Sequence, residues 1–195
     1  SEPNEITQLY FTTEHTGHQR ADGSAGPARV SLFFSVQTDA VNLGDATLRV
    51  RGRCGESSFE VTHTVLFSVG RLFFDVENPQ LWWPCGYGDP NLYDVKAELV
   101  AGDTVLASRA MRVGIRTIDL ERTESTNARG EGSFLFKVND TPILVKGSNW
   151  TPADAFHSRD LERYPDLFEL VRDLKCNMLR CWGGGVYEDD SFFDF

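Results

Sequence analysis

Two short stretches of the sequence carry side chains suited to binding a polar ligand. Asn149, Trp150 and Asp154 lie within "GSNWTPADAF", whereas Arg180 and Trp182 lie within "NMLRCWGGGVYEDD". An indole covers the apolar face of a sugar ring, while amides and carboxylates hold its hydroxyls, so the two stretches together would suit a carbohydrate. The alternative is that both tryptophans fill a core and Arg180 pairs with a buried carboxylate. Composition alone does not choose between these interpretations.

Three consecutive glycines follow Trp182 directly, at Gly183, Gly184 and Gly185. Glycine weakens helices and contributes no packing side chain to a strand, so a run of it indicates a sharp turn or a close approach to another group. We therefore expect the chain to turn immediately after the second stretch.

The surrounding residues predict the opening of a parallel α/β domain. A hairpin is expected around "NDTP", followed by an apolar strand at residues 143–145. A helix then begins at Pro165, with acids in its first turn and apolar residues at helical spacing. The strand "NMLRCW" comes next, and the acids of "YEDDSFFDF" indicate the start of another helix. Ligands of α/β barrels bind at the carboxyl ends of the strands, so both candidate stretches are expected at one face.

Two parallel strands do not bury both faces of a sheet, and a complete barrel takes about 250 residues. We therefore expect the chain to be a fragment, with the remaining barrel strands beyond Phe195.

The first 117 residues predict a separate, antiparallel domain. Seven short segments rich in Val, Phe, Leu and Thr, one of them at residues 58–69, are separated by Gly, Asp, Asn and Pro, without helical periodicity. The turn at Ala101 to Asp103 is expected to close a hairpin between the last two segments. Leu48 and Val50 would face one side of their strand and Arg49 and Arg51 the other. The predicted fold class is therefore mainly β: an immunoglobulin-like antiparallel β-sandwich at residues 1–117, followed by an incomplete (β/α)8 barrel segment at residues 118–195.

Charge and composition exclude several partners. The formal net charge of -10 disfavours nucleic acid and anionic membranes. The sequence contains neither a run of about 18 apolar residues nor a signal peptide, so no membrane span is expected. The compartment stays undetermined, and periplasmic, secreted and lysosomal locations are all compatible with a parent protein.

Neither a metal nor another cofactor is expected. The four cysteines fit neither a CxxC pair nor a zinc-ribbon spacing, and Cys176 and Cys181 are interpreted as small hydrophobic residues. His15 and His18 are interpreted as part of a solvated loop.

The residues at 78–195 resemble a known family. "FKVNDTPILVKGSNWTPADAF" and "NMLRCWGGGVYEDDSFFDF" are similar to the start of the catalytic barrel of family 2 glycoside hydrolases, in the β-mannosidase branch. "NPQLWWPCGYGDPNLYDVKAEL" resembles the immunoglobulin-like middle domain of that family. The resemblance implies a retaining exo-β-glycosidase with two catalytic glutamates about 5 to 5.5 Å apart, acting on terminal non-reducing β-mannosides. Both glutamates are expected from later barrel strands, so the fragment itself is expected to be inactive and to contain no catalytic residue.

The resemblance also implies a role for each candidate residue. Trp182 would form part of the platform for the sugar at the bond that is cleaved, and Arg180 would hold the nucleophilic carboxylate in its ionised form. Gly183 to Gly185 would keep side chains away from the sugar. Asn149, Trp150 and Asp154 would border the same pocket, which takes a β-linked oligosaccharide. Trp82 and Trp83 are expected to be structural.

Three further interpretations stay open. The sandwich could bind carbohydrate without catalysis, it could be purely structural, or the parent protein could act on another β-glycoside. A truncated barrel exposes apolar strand faces and unpaired edges, so self-association of the fragment is also expected.

Overall fold

The computed structural model describes residues 3–17, 26–39, 43–123, 128–129 and 132–195. Within these ranges the strands are β1 Glu5–Gly17, β2 Gly26–Gln37, β3 Ala46–Cys54, β4 Ser57–Thr64, β5 Val69–Val76, β6 Tyr93–Ala101, β7 Thr104–Val113, β8 Ile118–Arg122, β9 Phe134–Val138, β10 Thr141–Ile143, β11 Gly147–Trp150 and β12 Met178–Cys181. The α-helix is α1 Asp160–Asp173, and short 3-10 helices lie at Leu43–Asp45, His157–Arg159 and Asp190–Asp194.

The chain divides into two compact units. The first unit comprises Ser1–Trp83, Asp89–Leu120 and Lys137–Thr141, and the second comprises Pro84–Gly88, Glu121–Phe136 and Pro142–Phe195. The domain boundary between residues 117 and 118 remains our proposal, because it is drawn from a change in sequence pattern.

The first unit contains the seven predicted strands, in two antiparallel sheets of order β1-β2-β5 and β4-β3-β6-β7. Gly55 and Gly102 adopt φ values of +55° and +57° in the turns that join β3 to β4 and β6 to β7. Glycine takes up this left-handed conformation without the steric cost that a Cβ adds, so these positions favour closure of the hairpins there. The mainly β fold class and the predicted hairpin at Gly102 are confirmed.

Alternation along β3 builds the core of the sandwich. Leu48 and Val50 are 1% and 0% exposed and belong to one cluster of buried side chains contributed by both sheets. Arg49 lies on the opposite face, where it and Lys96 bind the Glu98 carboxylate at 2.7 and 2.8 Å. The hydrogen bonds from Lys96 and Arg49 lower the pKa of Glu98 to about 2. The predicted division of β3 into an apolar and a charged face is confirmed.

Two details of the sandwich differ from the prediction. The strand expected at residues 58–69 ends at Thr64, because the chain must leave the four-stranded sheet there to enter β5 of the other sheet. Leu66 and Phe67 in the connection are 63% and 75% exposed. His15 lies at an exposed position of β1 rather than in a loop, and His18 is outside the described residues.

Strands β8, β9 and β10 form a third sheet, of order β10-β9-β8. The predicted hairpin between β9 and β10 is present, with Asn139 and Asp140 at φ values of 49° and 62°. The strand predicted at residues 143–145 is wrong, since β10 ends at Ile143 and β11 begins only at Gly147. The amide of Asn177 explains the interruption: it accepts a hydrogen bond from Lys146 N and donates one to Leu144 O.

Strands β11 and β12 form a parallel pair joined through α1, as the α/β pattern predicts. Helix α1 begins at Asp160 rather than at Pro165, which lies inside it. The buried Asp160 carboxylate fixes this earlier start, because it accepts hydrogen bonds from Asp154 N at 2.8 Å and contacts His157 Nδ1 at 2.8 Å.

Candidate functional site

The parallel pair β11 and β12 brings two predicted site residues together. Asn149 and Arg180 are register partners, and Arg180 Nη1 donates a hydrogen bond to Asn149 Oδ1 at 3.1 Å. Gly147 permits this close pairing, since a Cβ at that position would collide with the carbonyl oxygen of Met178. Both side chains are exposed, so the guanidinium and the amide are available to a ligand.

A groove of about 970 Å³ in the second unit includes Asn149 and Arg180 in its lining. Apolar side chains, among them Phe136, Leu144 and Leu179, form much of the remaining wall. Ligand sites are commonly clefts of this size with apolar walls and a few polar groups that set the orientation. The groove can therefore cover the apolar face of a ligand while its hydroxyl or carboxylate groups meet Asn149 and Arg180.

Trp182 and the glycine turn lie at the carboxyl end of β12. Trp182 N donates to Trp150 O at 2.8 Å, and Gly185 N donates to Trp182 O at 3.2 Å, which closes a turn. A Cβ on Gly184 would lie 2.5 Å from the Trp182 ring, and one on Gly185 would lie 2.9 Å from Pro152. The indole itself is 52% exposed. Gly184 and Gly185 therefore leave the room that the Trp182 ring and Pro152 occupy. The exposed part of the Trp182 indole remains open to a ligand.

Trp150 lies in an aromatic core rather than on a surface. It is 7% exposed and packs with Tyr164 and Phe192. Its Nε1 donates to Glu188 Oε1 at 2.8 Å, and the Tyr164 hydroxyl donates to Glu188 Oε2 at 2.6 Å. Burial, followed by the contact with Glu188, raises the pKa of Tyr164. These contacts match the core-filling alternative for Trp150, and its place at the pocket border remains a prediction.

The sequence did not identify Glu188 as a residue that holds the elements around the candidate site together. The sequence pattern explains it as an acid near a helix N-terminus, whereas the structure buries its carboxylate between two aromatic donors. The sequence does contain a signal for this burial, since Glu188 follows Tyr187 and precedes a run of phenylalanines. A carboxylate buried among aromatic residues needs hydrogen-bond donors, which indole and phenol groups can supply.

Asp154 is bound within the segment that leads into α1. Its Oδ1 accepts from Phe156 N at 3.0 Å, and its Oδ2 accepts from Arg163 Nε at 2.8 Å. The hydrogen bond from Phe156 and the nearby Arg159 and Arg163 cations lower the pKa of Asp154. Its side chain is 9% exposed, so little of the carboxylate is left for a sugar hydroxyl.

His157 joins this segment to the chain that follows the glycines. Its Nδ1 contacts Asp160 Oδ2 at 2.8 Å and its Nε2 contacts Asp189 Oδ2 at 3.3 Å. The hydrogen bond with Asp160, and then the one with Asp189, raise the pKa of His157. Sequence reasoning missed this contact because its members are up to 32 residues apart.

The remaining predicted features lie elsewhere. Trp82 packs against the Arg116 guanidinium at 4.3 Å from ring centroid to Cζ, and its carbonyl accepts from Asn139 Nδ2.

All four cysteines are free, and Cys181 is exposed, so its interpretation as a buried small hydrophobic residue is wrong. Across the described ranges, no group of three His, Cys, Asp or Glu side chains is placed to hold a metal ion. No helix in the described part of the chain has the length and apolar character needed to cross a bilayer.

The chain thus joins two antiparallel sheets of a β-sandwich to a parallel β-α-β unit, in which Asn149 and Arg180 lie side by side. The model of the family described as Glycosyl hydrolases family 2 matches residues 6–116, and the chain belongs to that family.

Two curated relatives and one solved structure illustrate the likeness. β-Mannosidase B of Aspergillus flavus is 39% identical over 168 residues, covering 85% of this chain and 19% of the relative. β-Mannosidase B of Aspergillus fumigatus is 43% identical over 172 residues, covering 86% and 20%. The crystal structure of the β-D-mannosidase from Dictyoglomus thermophilum has a TM-score of 0.77 and 28% identity, covering 98% of this chain and 23% of its own. The chain thus spans about a fifth of the length of the curated relatives that it matches.

Proposed function

We propose that this chain is part of a retaining exo-β-mannosidase, which removes terminal β-mannosyl residues from the non-reducing ends of glycans. The observation that carries the proposal is the identity of 39% and 43% with proteins named β-mannosidase B, across 85% and 86% of this chain. The polar end of the groove and the exposed indole of Trp182 are compatible with a glycan ligand.

Trp182 supplies the apolar part of this proposed sugar site. Its half-exposed indole can stack on the less polar face of a pyranose ring, while the Gly184 turn leaves space for the indole itself. Stacking of this kind positions the glycosidic bond without contributing to proton transfer.

Arg180 supplies the positive charge of the proposed sugar site. A guanidinium has five N–H donors, and the hydrogen bond to Asn149 Oδ1 uses one of them. The others can bind a carboxylate in a charge-assisted, two-pronged arrangement, which keeps that carboxylate ionised at neutral pH. Arg180 would therefore position an ionised nucleophile beside the sugar, while Asn149 fixes the orientation of the guanidinium.

We infer that the two catalytic glutamates come from outside these 195 residues. Two acids close to the candidate site are already engaged: Glu188 is buried between Trp150 and Tyr164, and Asp154 is bound to Arg163. A general acid or a nucleophile must reach the glycosidic bond, which these carboxylates cannot do while they hold the local fold together.

The test is hydrolysis of p-nitrophenyl β-mannoside, β-glucoside and β-galactoside by the full-length protein and its Trp182 variants. We expect the highest kcat/KM on the β-mannoside, a loss on the order of a hundredfold for Trp182→Ala, and a smaller loss for Trp182→Phe, which keeps an aromatic face. Phe67→Ala, at a 75% exposed aromatic residue of the sandwich, is the matched control and should leave kcat/KM unchanged.

Each part of the proposal has its own contrary result. Preference for another β-glycoside would refute the mannoside specificity but leave the family assignment intact. Hydrolysis by the 195-residue chain alone would show that its own carboxylates are catalytic.

A second candidate function is glycan binding by the sandwich without catalysis. Tyr10 and Phe33 stack with ring centroids 4.9 Å apart, and Tyr10 is 48% exposed, which offers an aromatic surface to a sugar chain. Calorimetric titration of the chain with mannan oligosaccharides tests this function. Heat of binding that is abolished by Tyr10→Ala would support it, and an absence of binding heat would refute it.

A further inference from the structure

Arg116 presents a partly buried positive charge that the described residues do not neutralise. Its Nε is buried and has no hydrogen-bond partner among the residues that the structure describes, and the same holds for the neighbouring Thr117 Oγ1. Burial alone lowers the pKa of the Arg116 guanidinium, with no contribution from an acidic neighbour. Burying a charge without a partner costs free energy, so such a group is suited to binding an anion.

Another arginine in the same unit shows the usual arrangement. The Arg29 guanidinium lies 5.7 Å from the centre of the Phe73 ring, and its Nη1 is 3.0 Å from Asp75 Oδ2. Arg29 therefore combines an aromatic contact with a carboxylate partner. Arg116 has the closer aromatic contact, 4.3 Å from the Trp82 ring, without the carboxylate.

The backbone around Arg116 is built to hold the guanidinium in place. A Cβ on Gly114 would lie 3.1 Å from Arg116 Nη1 and 3.2 Å from Trp82 Cγ, so glycine leaves the room in which the two side chains stack. Arg116 N donates to Thr13 Oγ1 at 3.2 Å, which ties this segment to β1. The guanidinium is therefore positioned by its surroundings rather than free in solvent.

Arg116 borders a groove of about 460 Å³ within the first unit. The groove is also lined by Tyr10, Thr12, Thr13 and Arg112. Its described lining contains neither aspartate nor glutamate that could neutralise Arg116. A guanidinium without an acidic neighbour favours anions, and the volume is adequate for a molecule as large as a sugar acid.

We propose that this groove binds a small carboxylate, with the Arg116 guanidinium as its charge partner. The Trp82 ring lies against the guanidinium, with its centre 4.3 Å from Cζ. Nε is buried, whereas neither Nη group is among the buried atoms without a hydrogen-bond partner. The two Nη groups of a guanidinium match the two oxygens of a carboxylate in a fork-to-fork arrangement. The site lies in the sandwich and does not depend on the proposed hydrolase activity.

The test is an NMR titration of the 195-residue chain with acetate and with glucuronate, against sodium chloride at matched ionic strength. The signals to follow are the Trp82 indole N–H and the Arg116 Nε–H. We expect saturable shifts with both acids and none with chloride. Arg116→Gln should weaken binding at least tenfold, and Arg116→Lys severalfold, because lysine keeps the charge but loses the fork. Arg29→Gln, which removes the arginine that already has a carboxylate partner, should leave the affinity unchanged.

Several outcomes would overturn the proposal. Chloride could reproduce the shifts, or Arg116→Lys and Arg116→Gln could both bind like the unaltered chain. Phosphate could bind more tightly than either acid, which would make the ligand class wrong. A short glutamate-rich peptide could saturate the site while the free acids do not, which would assign the carboxylate to a polypeptide rather than to a small molecule. Dispersion of the amide signals shows whether each variant is folded before it is titrated.

Discussion

Removing one hydroxyl group tests how the second unit holds its buried carboxylate. Tyr164 is 1% exposed, and its hydroxyl donates to Glu188 Oε2 at 2.6 Å. Tyr164→Phe keeps the ring and its packing against Trp150, Phe168 and Phe192, so the change isolates the hydrogen bond.

The expected cost follows from the type of bond. Hydrogen bonds to charged groups contribute roughly 1.5–3 kcal/mol, and removing the donor leaves a carboxylate oxygen in a buried place without this partner. Trp150 Nε1 still donates to the other oxygen of Glu188, so part of the stabilisation persists. We therefore expect Tyr164→Phe to lower the free energy of unfolding of the second unit by about 2 kcal/mol.

Urea unfolding, followed through the Trp150 indole N–H signal, measures this cost directly. Tyr10→Phe is the matched control, because the Tyr10 side chain is 48% exposed and its change should stay within about 0.5 kcal/mol. A double-mutant cycle with Glu188→Gln should give a coupling energy of about 1–2 kcal/mol. A cost for Tyr164→Phe below about 0.5 kcal/mol, or a cycle without coupling, would refute the reasoning.

Three further changes have expected outcomes. Gly184→Ala places a methyl group against the Trp182 ring and should shift the Trp182 indole signal in an NMR spectrum, whereas Gly183→Ala, which adds its methyl to open space, should not. Leu48→Ala removes a side chain that is 1% exposed, and should destabilise the sandwich by roughly 2–5 kcal/mol in urea unfolding; a cost near zero would contradict the packing described. The pKa of His157 in the folded protein is raised by its two aspartate partners, Asp160 and Asp189. The stability that the protonated imidazole contributes is therefore fully present below about pH 6.5 and is lost as pH rises through the folded pKa. His157→Gln should therefore flatten the decline in stability measured between mildly acidic and alkaline pH, and an unchanged decline would exclude His157 as its source.

Most of the sandwich could be predicted from the sequence because its signals are local. Alternation such as that of Leu48, Arg49 and Val50 reports directly on the two faces of a strand. The errors occur where distant side chains decide the structure. The carboxylate of Asp160 moves the helix start away from Pro165, and the amide of Asn177 interrupts the strand expected at residues 143–145.

For the candidate site, the sequence predicts that Asn149 and Arg180 lie close together, but it does not predict the burial of Trp150. Asn149 and Arg180 meet because adjacent parallel strands align their ends, a rule that needs only the order of the elements. The sequence pattern does not show that Trp150 is buried, since its partners Glu188 and Tyr164 come from segments 38 and 14 positions further along the chain.

The burial of Trp150 gives it a role that neither of the initial interpretations contained. The segment from Trp182 to Glu188 is hydrogen-bonded to Trp150 at both ends. Trp182 N donates to the carbonyl oxygen of Trp150, and Trp150 Nε1 donates to the Glu188 carboxylate. Between these two points the chain turns on glycines that fit against Trp182 and Pro152. A phenylalanine at position 150 could fill the same core but would lack the donor that holds the far end of the segment. Trp150 therefore acts through its backbone and its indole nitrogen to set the path of the loop that presents Trp182.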